Sequence, residues 1–207
     1  IFLVLDFING GDLRNHINDS KRLTETEARF YAAQILLGLG ALHSKGYIYR
    51  DLKPENILIE KDGYIKITDF GLIKKDLKAD SASHTTFCGT PYYLAPEIIR
   101  EESYSNSVDW WSFGIVIYEM IAGETPFHDQ NMTKMYHKIL HGKINFPDFF
   151  SHDAKDLISK LLDKNLQNEN NIRTRLGSQR DFEEIKEHPF FNEIINWDDL
   201  LNKNIEP

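Results

Sequence analysis

The spacing of apolar positions changes several times along the chain, and each change marks an element. Ile1-Phe2-Leu3-Val4-Leu5 is an unbroken apolar run that ends at Asp6 and then Asn9-Gly10-Gly11, which predicts a strand followed by a turn. Thr24-Glu25-Thr26-Glu27 has the pattern in which a threonine and a glutamate cap each other's amides, and apolar residues then recur at helical spacing. That helix is predicted to run to about Ser44, with Phe30, Ala33, Ile35, Leu37, Leu39 and Leu42 as its buried stripe and Gly46 as its terminator. Ile57-Leu58-Ile59 and Ile65-Lys66-Ile67, separated by the turn-forming Glu60-Lys61-Asp62-Gly63, predict a small hairpin. Residues 108–122 are apolar on nearly all sides, the mark of a helix buried at the centre of a helical domain. Shorter helices are predicted over 132–140, 154–162 and 182–187. Residues 165–171 read as a polar, asparagine-rich insertion, and Trp197-Asp198-Asp199-Leu200-Leu201 carries apolar anchors that either dock or fray. The fold class that follows is mainly α with a small β component.

Composition narrows the setting. A chain of 207 residues with 41% hydrophobic and 27% charged residues is ordinary for one domain with a substantial core. The formal net charge of −8 argues against a nucleic-acid partner, which needs clustered Lys and Arg, and suits cationic peptides; solubility alone is the plainer reading. A single cysteine, Cys88, excludes an internal disulfide and fits a reducing compartment, cytoplasmic or alternatively nuclear. No run approaches the roughly 20 apolar residues that span a bilayer, so no membrane segment is expected.

The chemistry lies in two pieces, Arg50-Asp51-Leu52-Lys53-Pro54-Glu55-Asn56 and Thr68-Asp69-Phe70-Gly71. Taken singly, an Arg-Asp pair is usually a surface ion pair and Asp-Phe-Gly can be any turn. Together, and framing the predicted hairpin, they resemble the catalytic loop and the metal-binding motif of protein kinases. The resemblance implies ATP and Mg²⁺ as cofactors, Asp51 as the base that orients the acceptor hydroxyl, and Lys53 as the cation on the transferred phosphoryl group. It implies Asn56 and Asp69 as the oxygen ligands of the metal. Thr90, in Cys88-Gly89-Thr90-Pro91, matches the threonine that bonds base and lysine in Ser/Thr kinases. Glu97 of Ala95-Pro96-Glu97 is expected to pair with Arg175, and Asp109 to hold the backbone of the catalytic loop.

Tyr49-Arg50-Asp51, Phe30-Tyr31-Ala32-Ala33-Gln34 and Thr86-Phe87-Cys88-Gly89-Thr90-Pro91 are similar to the AGC group, near the Akt and serum/glucocorticoid-regulated kinases. That likeness implies an upstream activating kinase acting on Thr86, with Thr85 as the alternative, and a phosphate held by Arg50 and Lys74. The added charge of about −1.5 to −2 would order the loop through arginine pairing. It also implies Asp12 at the ribose, the backbone of Asp6 and Ile8 at adenine, Leu58 beneath it, and Glu55 and Thr68 lining the nucleotide site. Asp12, Glu55 and Glu119 are expected to form an acidic groove that favours arginine upstream of the target Ser or Thr of a protein substrate. Two departures stand out. Tyr92 sits where this group usually has glutamate, which weakens the basic-peptide expectation, and no aromatic hydrophobic motif follows the domain.

Within the 207 residues there is no glycine-rich phosphate loop and no Val-Ala-Ile-Lys strand. The chain therefore reads as the hinge and large C-terminal lobe of a protein-kinase-like fold over 1–191, with the start of an AGC-type tail over 192–207. As it stands it is expected to show negligible turnover. Two alternatives belong to other classes: a noncatalytic binding module that uses the peptide groove, and a small-molecule phosphotransferase. The peptide platform implied by Ala95-Pro96-Glu97 speaks against the latter.

Overall fold

A computed structural model describes residues 6–75, 86–165, 174–192 and 196–206. The expected first strand, Thr85 and most of the asparagine-rich insertion lie outside the described residues. In chain order the helices are α1 (Leu13–Ser20), α2 (Glu25–Ser44), α3 (Pro96–Ile99), α4 (Ser107–Ala122), α5 (Met132–His141), α6 (His152–Leu161), α7 (Phe182–Lys186) and α8 (Trp197–Leu201). The strands are β1 (Tyr47–Ile48), β2 (Ile57–Ile59), β3 (Ile65–Ile67) and β4 (Lys74–Lys75).

α4 is the axis of the core. Residues 107–121 are all buried, and the helix packs against α2 on one side and α6 on the other. It ends at Gly123, whose φ of 84° suits only glycine and where a Cβ would stand 2.1 Å from the carbonyl oxygen of Lys21. α2 opens with both capping bonds in place, Glu27 N donating to Thr24 Oγ1 at 3.3 Å and Thr24 N to Glu27 Oε2 at 2.7 Å. Its buried face is Ala28, Ala32, Ala33, Ile35, Leu36 and Leu39, while Phe30, Leu37 and Leu42 are half-buried. The expected stripe is thus rotated, because the small residues Ala28, Ala32 and Gly40 on the buried face carry little hydrophobic weight in a periodicity reading.

β2 and β3 form the anticipated antiparallel hairpin in the register Ile57↔Ile67, Leu58↔Lys66 and Ile59↔Ile65. β1 and β4 form a second antiparallel pair, Tyr47↔Lys75 and Ile48↔Lys74. The segment before α1 runs beside β2, with Gly10 N bonded to Ile59 O, Ile59 N to Gly11 O, and Asp12 bridged to Leu58. α1 has no counterpart among the sequence-based elements, since only Leu13 and Ile17 of its eight residues are buried and two positions set no period. The chain end docks: Leu200 of α8 is buried, and Trp197 lies 5.5 Å from Phe191, ring to ring. Beyond α8, Lys203 pairs with Glu60 and Asp62, and the Tyr64 hydroxyl donates to Ile205 O at 2.6 Å and accepts from Ile205 N at 3.2 Å.

Candidate active site

The loop between β1 and β2 is held from beneath by α4. Asp109, fully buried, accepts from Tyr49 N through Oδ2 and from Arg50 N through Oδ1, each at 2.8 Å. These bonds fix Arg50 in the left-handed region at φ 70°, a conformation that costs about 1 kcal/mol or more for a non-glycine residue. His43, at the end of α2, donates to the same Asp109 Oδ2 and to Asp181 Oδ1, both at 2.8 Å. Burial alone would lower the imidazole pKa, but the bonds to the two carboxylates outweigh it and push it up to about 9. His43 is therefore a charged link under the catalytic loop at neutral pH.

That link makes stability depend on pH. The folded pKa lies above the ordinary 6.5, so the stabilisation is complete below about pH 6.5 and disappears as pH rises through about 9. On the order of 3 kcal/mol is at stake. The melting temperature is expected to fall between pH 6.5 and 9.5, and His43→Leu should flatten that slope; a wild-type profile already flat over this range would contradict the assignment.

Three side chains meet the Asp51 carboxylate. Its Oδ1 accepts from Thr90 Oγ1 at 2.8 Å, and its Oδ2 from Lys53 Nζ at 2.9 Å and Asn56 Nδ2 at 3.1 Å. Lys53 Nζ also donates to Thr90 Oγ1 at 2.9 Å, which closes a ring of Asp51, Lys53 and Thr90. Thr90 reaches the loop because Gly89, at φ 112°, has no Cβ; one added there would stand 2.9 Å from Arg50 O. Asn56 Nδ2 donates to Asp51 O as well, at 2.9 Å, so the amide nitrogen faces the loop and the amide oxygen is left as an acceptor.

Asp69 is brought to this cluster by Thr68. Thr68 N donates to Asn56 O at 2.9 Å, and its carbonyl accepts from the Tyr49 hydroxyl. Burial above all pushes that hydroxyl far above its ordinary range, with the charges of Asp51, Asp69 and Asp109 adding to the effect, so it serves only as a neutral donor. Asp69 itself is held at φ 56°, with Oδ1 accepting from Gly71 N at 3.2 Å. The Asn56 amide oxygen and the Asp69 carboxylate, each anchored by its own neighbours, are hard-oxygen donors of the kind that could hold Mg²⁺, an ion that keeps waters and takes its remaining oxygens from phosphates.

The family model for the protein kinase domain matches residues 1–191. The chain belongs to the protein kinase family. Over all 207 residues it is 49% identical to the cAMP-dependent protein kinase type 3 of Saccharomyces cerevisiae, covering 49% of that protein. It is 47% identical to the human serine/threonine-protein kinase Sgk2, covering 54%, and 45% identical to the RAC family serine/threonine-protein kinase homolog of Dictyostelium discoideum, covering 44%. These relatives place the kinase domain in the AGC group. The chain spans about half the length of the curated relatives it matches.

Elsewhere in the kinase domain, Glu97 and Arg175 form a buried two-pronged pair, Nη1 to Oε1 at 2.5 Å and Nη2 to Oε2 at 2.9 Å. Arg50 donates to Leu72 O at 2.7 Å and to the Tyr104 hydroxyl at 3.1 Å, and that hydroxyl donates to Thr86 O at 3.0 Å. Arg50 and Thr86 thus share Tyr104, while Lys74 lies in β4 opposite Ile48. Asp6 is exposed and Ile8 half-buried in the segment leading to α1.

The three acids expected in one groove are arranged differently. Asp12 caps α1, its two oxygens accepting from Asn15 N at 2.9 Å and Asn15 Nδ2 at 3.0 Å. Glu55 and Glu119 do meet, but across a cation: Arg14 Nε bonds Glu55 Oε1 at 2.9 Å and Arg14 Nη1 bonds Glu119 Oε1 at 2.7 Å. Arg14, His43, Tyr93, Tyr104 and Asp181 were not anticipated as site residues. His43, a lone histidine in the apolar stretch of α2, was the one with a signal to follow.

Proposed function

We propose that the full-length protein catalyses ATP-dependent phosphoryl transfer to Ser or Thr hydroxyls of proteins, the 207 residues alone having no glycine-rich phosphate loop. The observation that carries the reading is the convergence of Lys53, Asn56 and Thr90 on the Asp51 carboxylate, which fixes one acceptor-only group in a single orientation. Asp51 would accept the hydroxyl proton, and Lys53, a compact cation, would offset phosphoryl charge as it develops. Phosphoryl transfer asks chiefly for positioning and neutralisation, and the Asp109 and Tyr49 bonds supply the rigidity this needs. Asn56 Oδ1 and Asp69 would hold Mg²⁺, whose contribution is to neutralise phosphate oxygens and keep them in line. Asp6, Ile8, Asp12, Leu58, Glu55 and Thr68 line the way to the nucleotide in this reading, with Asp12 and Leu58 opposite each other in a β-bridge.

A switch at Thr86 is part of the proposal. Tyr104 already joins the Thr86 backbone to Arg50, so a phosphate added to Thr86 by an upstream kinase would find a guanidinium one residue from the base, with Lys74 as a second cation. Thr85 is the alternative acceptor. The lone, half-buried Cys88 supports a reducing compartment, cytoplasmic or nuclear. Among the described residues no helix is long and apolar enough to cross a membrane.

The decisive assay gives the full-length protein Mg-ATP and a serine-peptide library and follows phosphate on peptide. Transfer to Ser or Thr is the expected result. Well-folded protein that binds peptide but never phosphorylates it would favour the binding-module reading instead.

A further inference from the structure

Arg14 stands where a substrate cation would have to go. Its guanidinium spends Nη1 on Glu119 Oε1 and Nε on Glu55 Oε1, and its Nη2 lies 2.5 Å from the Tyr93 hydroxyl. Tyr93 in turn donates to Glu119 Oε2 at 2.7 Å, so both oxygens of Glu119 are occupied from within the chain. The Glu119 side chain is only 4% exposed and that of Arg14 23%. These groups form one wall of a groove of about 420 Å³ that also includes Thr90, the partner of Asp51. The lining also includes an aromatic pair: Tyr92 stacks on His128 with ring centres 5.7 Å apart and planes 14° from parallel.

We infer that Arg14 is the resident occupant of this acidic pocket, and that the pocket therefore receives an uncharged side chain of the protein substrate and does not select arginine. The inference rests on the kinase reading above and specifies its substrate class. An incoming arginine would have to displace a guanidinium tethered at high effective concentration, and it would meet like charge in a partly desolvated site. Glu55 keeps one free oxygen and Glu124 also lines the groove, but the Glu55 side chain is 45% exposed and Glu124 is exposed as well, so their remaining charge is screened. The Tyr92 and His128 rings offer the contact surface that remains.

The test compares serine peptides carrying arginine or its neutral isostere citrulline at each upstream position, measuring both equilibrium binding to the full-length protein and phosphorylation. Arg14→Ala should uncover Glu119 and create a preference for arginine over citrulline of about tenfold or more at one position, where the wild type shows at most about threefold. Adding Glu119→Gln to Arg14→Ala should abolish the gain. Should Arg14→Ala fail to fold, Glu119→Gln in the wild-type background decides: an unchanged arginine-to-citrulline ratio supports the inference, and a roughly tenfold loss of arginine preference overturns it. Arg14→Ala protein that folds and gains arginine preference at no position also overturns it. Binding profiles decide these outcomes even if no peptide is phosphorylated, a result that would count against the kinase reading alone.

Discussion

Asp51→Asn is expected to slow peptide phosphorylation by the full-length kinase by about 10²- to 10⁴-fold. The change is nearly isosteric, so the loss would come from chemistry. An amide cannot take the acceptor's proton, and it fits its surroundings only if the bond to Thr90 is rearranged. Oδ1 of Asp51 faces the Thr90 hydroxyl, and Oδ2 faces the ammonium of Lys53 and the amide nitrogen of Asn56. Turned one way, an asparagine would set its NH₂ against the Lys53 and Asn56 donors; turned the other, it would require the Thr90 hydroxyl to reverse its bond and accept. Steady-state kinetics should show the loss mainly in kcat, with the KM for ATP little changed, because Asp51 touches neither adenine nor ribose in the proposed site. Activity within tenfold of wild type would remove Asp51 from the mechanism.

Arg175→Ala is expected to cost about 3–5 kcal/mol of folding stability, the usual result of orphaning one member of a buried ion pair. Arg175 is 1% exposed and Glu97 fully buried. Removing the guanidinium would leave the Glu97 carboxylate without its partner and would strand the carbonyls of Asp163 and Ser107, which it also serves. It would also take away a cation stacked 5.1 Å from the centre of the Trp111 ring, in the middle of α4. Urea unfolding should report the loss as a lower midpoint at unchanged slope. The paired change Glu97→Gln with Arg175→Met should recover part of it, since no uncompensated charge then remains inside. A loss below about 1 kcal/mol for Arg175→Ala would mean that the site admits water and that the pair is not buried in solution.

Legibility in the sequence followed locality. α2 could be bounded within a residue because Thr24 and Glu27 cap it and Gly46 follows it, and the hairpin was marked by two short isoleucine-rich runs around a turn-forming Glu60-Lys61-Asp62-Gly63. α4 announced itself by being apolar all round. The catalytic loop carries its chemistry within seven consecutive residues, so Asp51, Lys53 and Asn56 could be named before any coordinates. What escaped depends on partners brought together by topology. Arg14 and Glu119 are 105 positions apart, and His43 and Asp181 are 138 apart, so nothing local marks either pair. Arg14 in the acidic groove escaped for the same reason: three carboxylates can be counted in a sequence, whereas the arginine that neutralises two of them becomes visible only when α1 is laid against the turn at Pro54–Asn56. α1 itself was missed because its main signal, Asp12 capping Asn15, was assigned to ligand binding.

The fastening of the chain end to the hairpin has a consequence for how that end can vary. Tyr64 grips Ile205 by its main-chain oxygen and nitrogen, groups that every non-proline amino acid supplies alike. Drift in side-chain identity at that position is thus compatible with the clasp, whereas deleting Ile205, or placing proline there, would undo it.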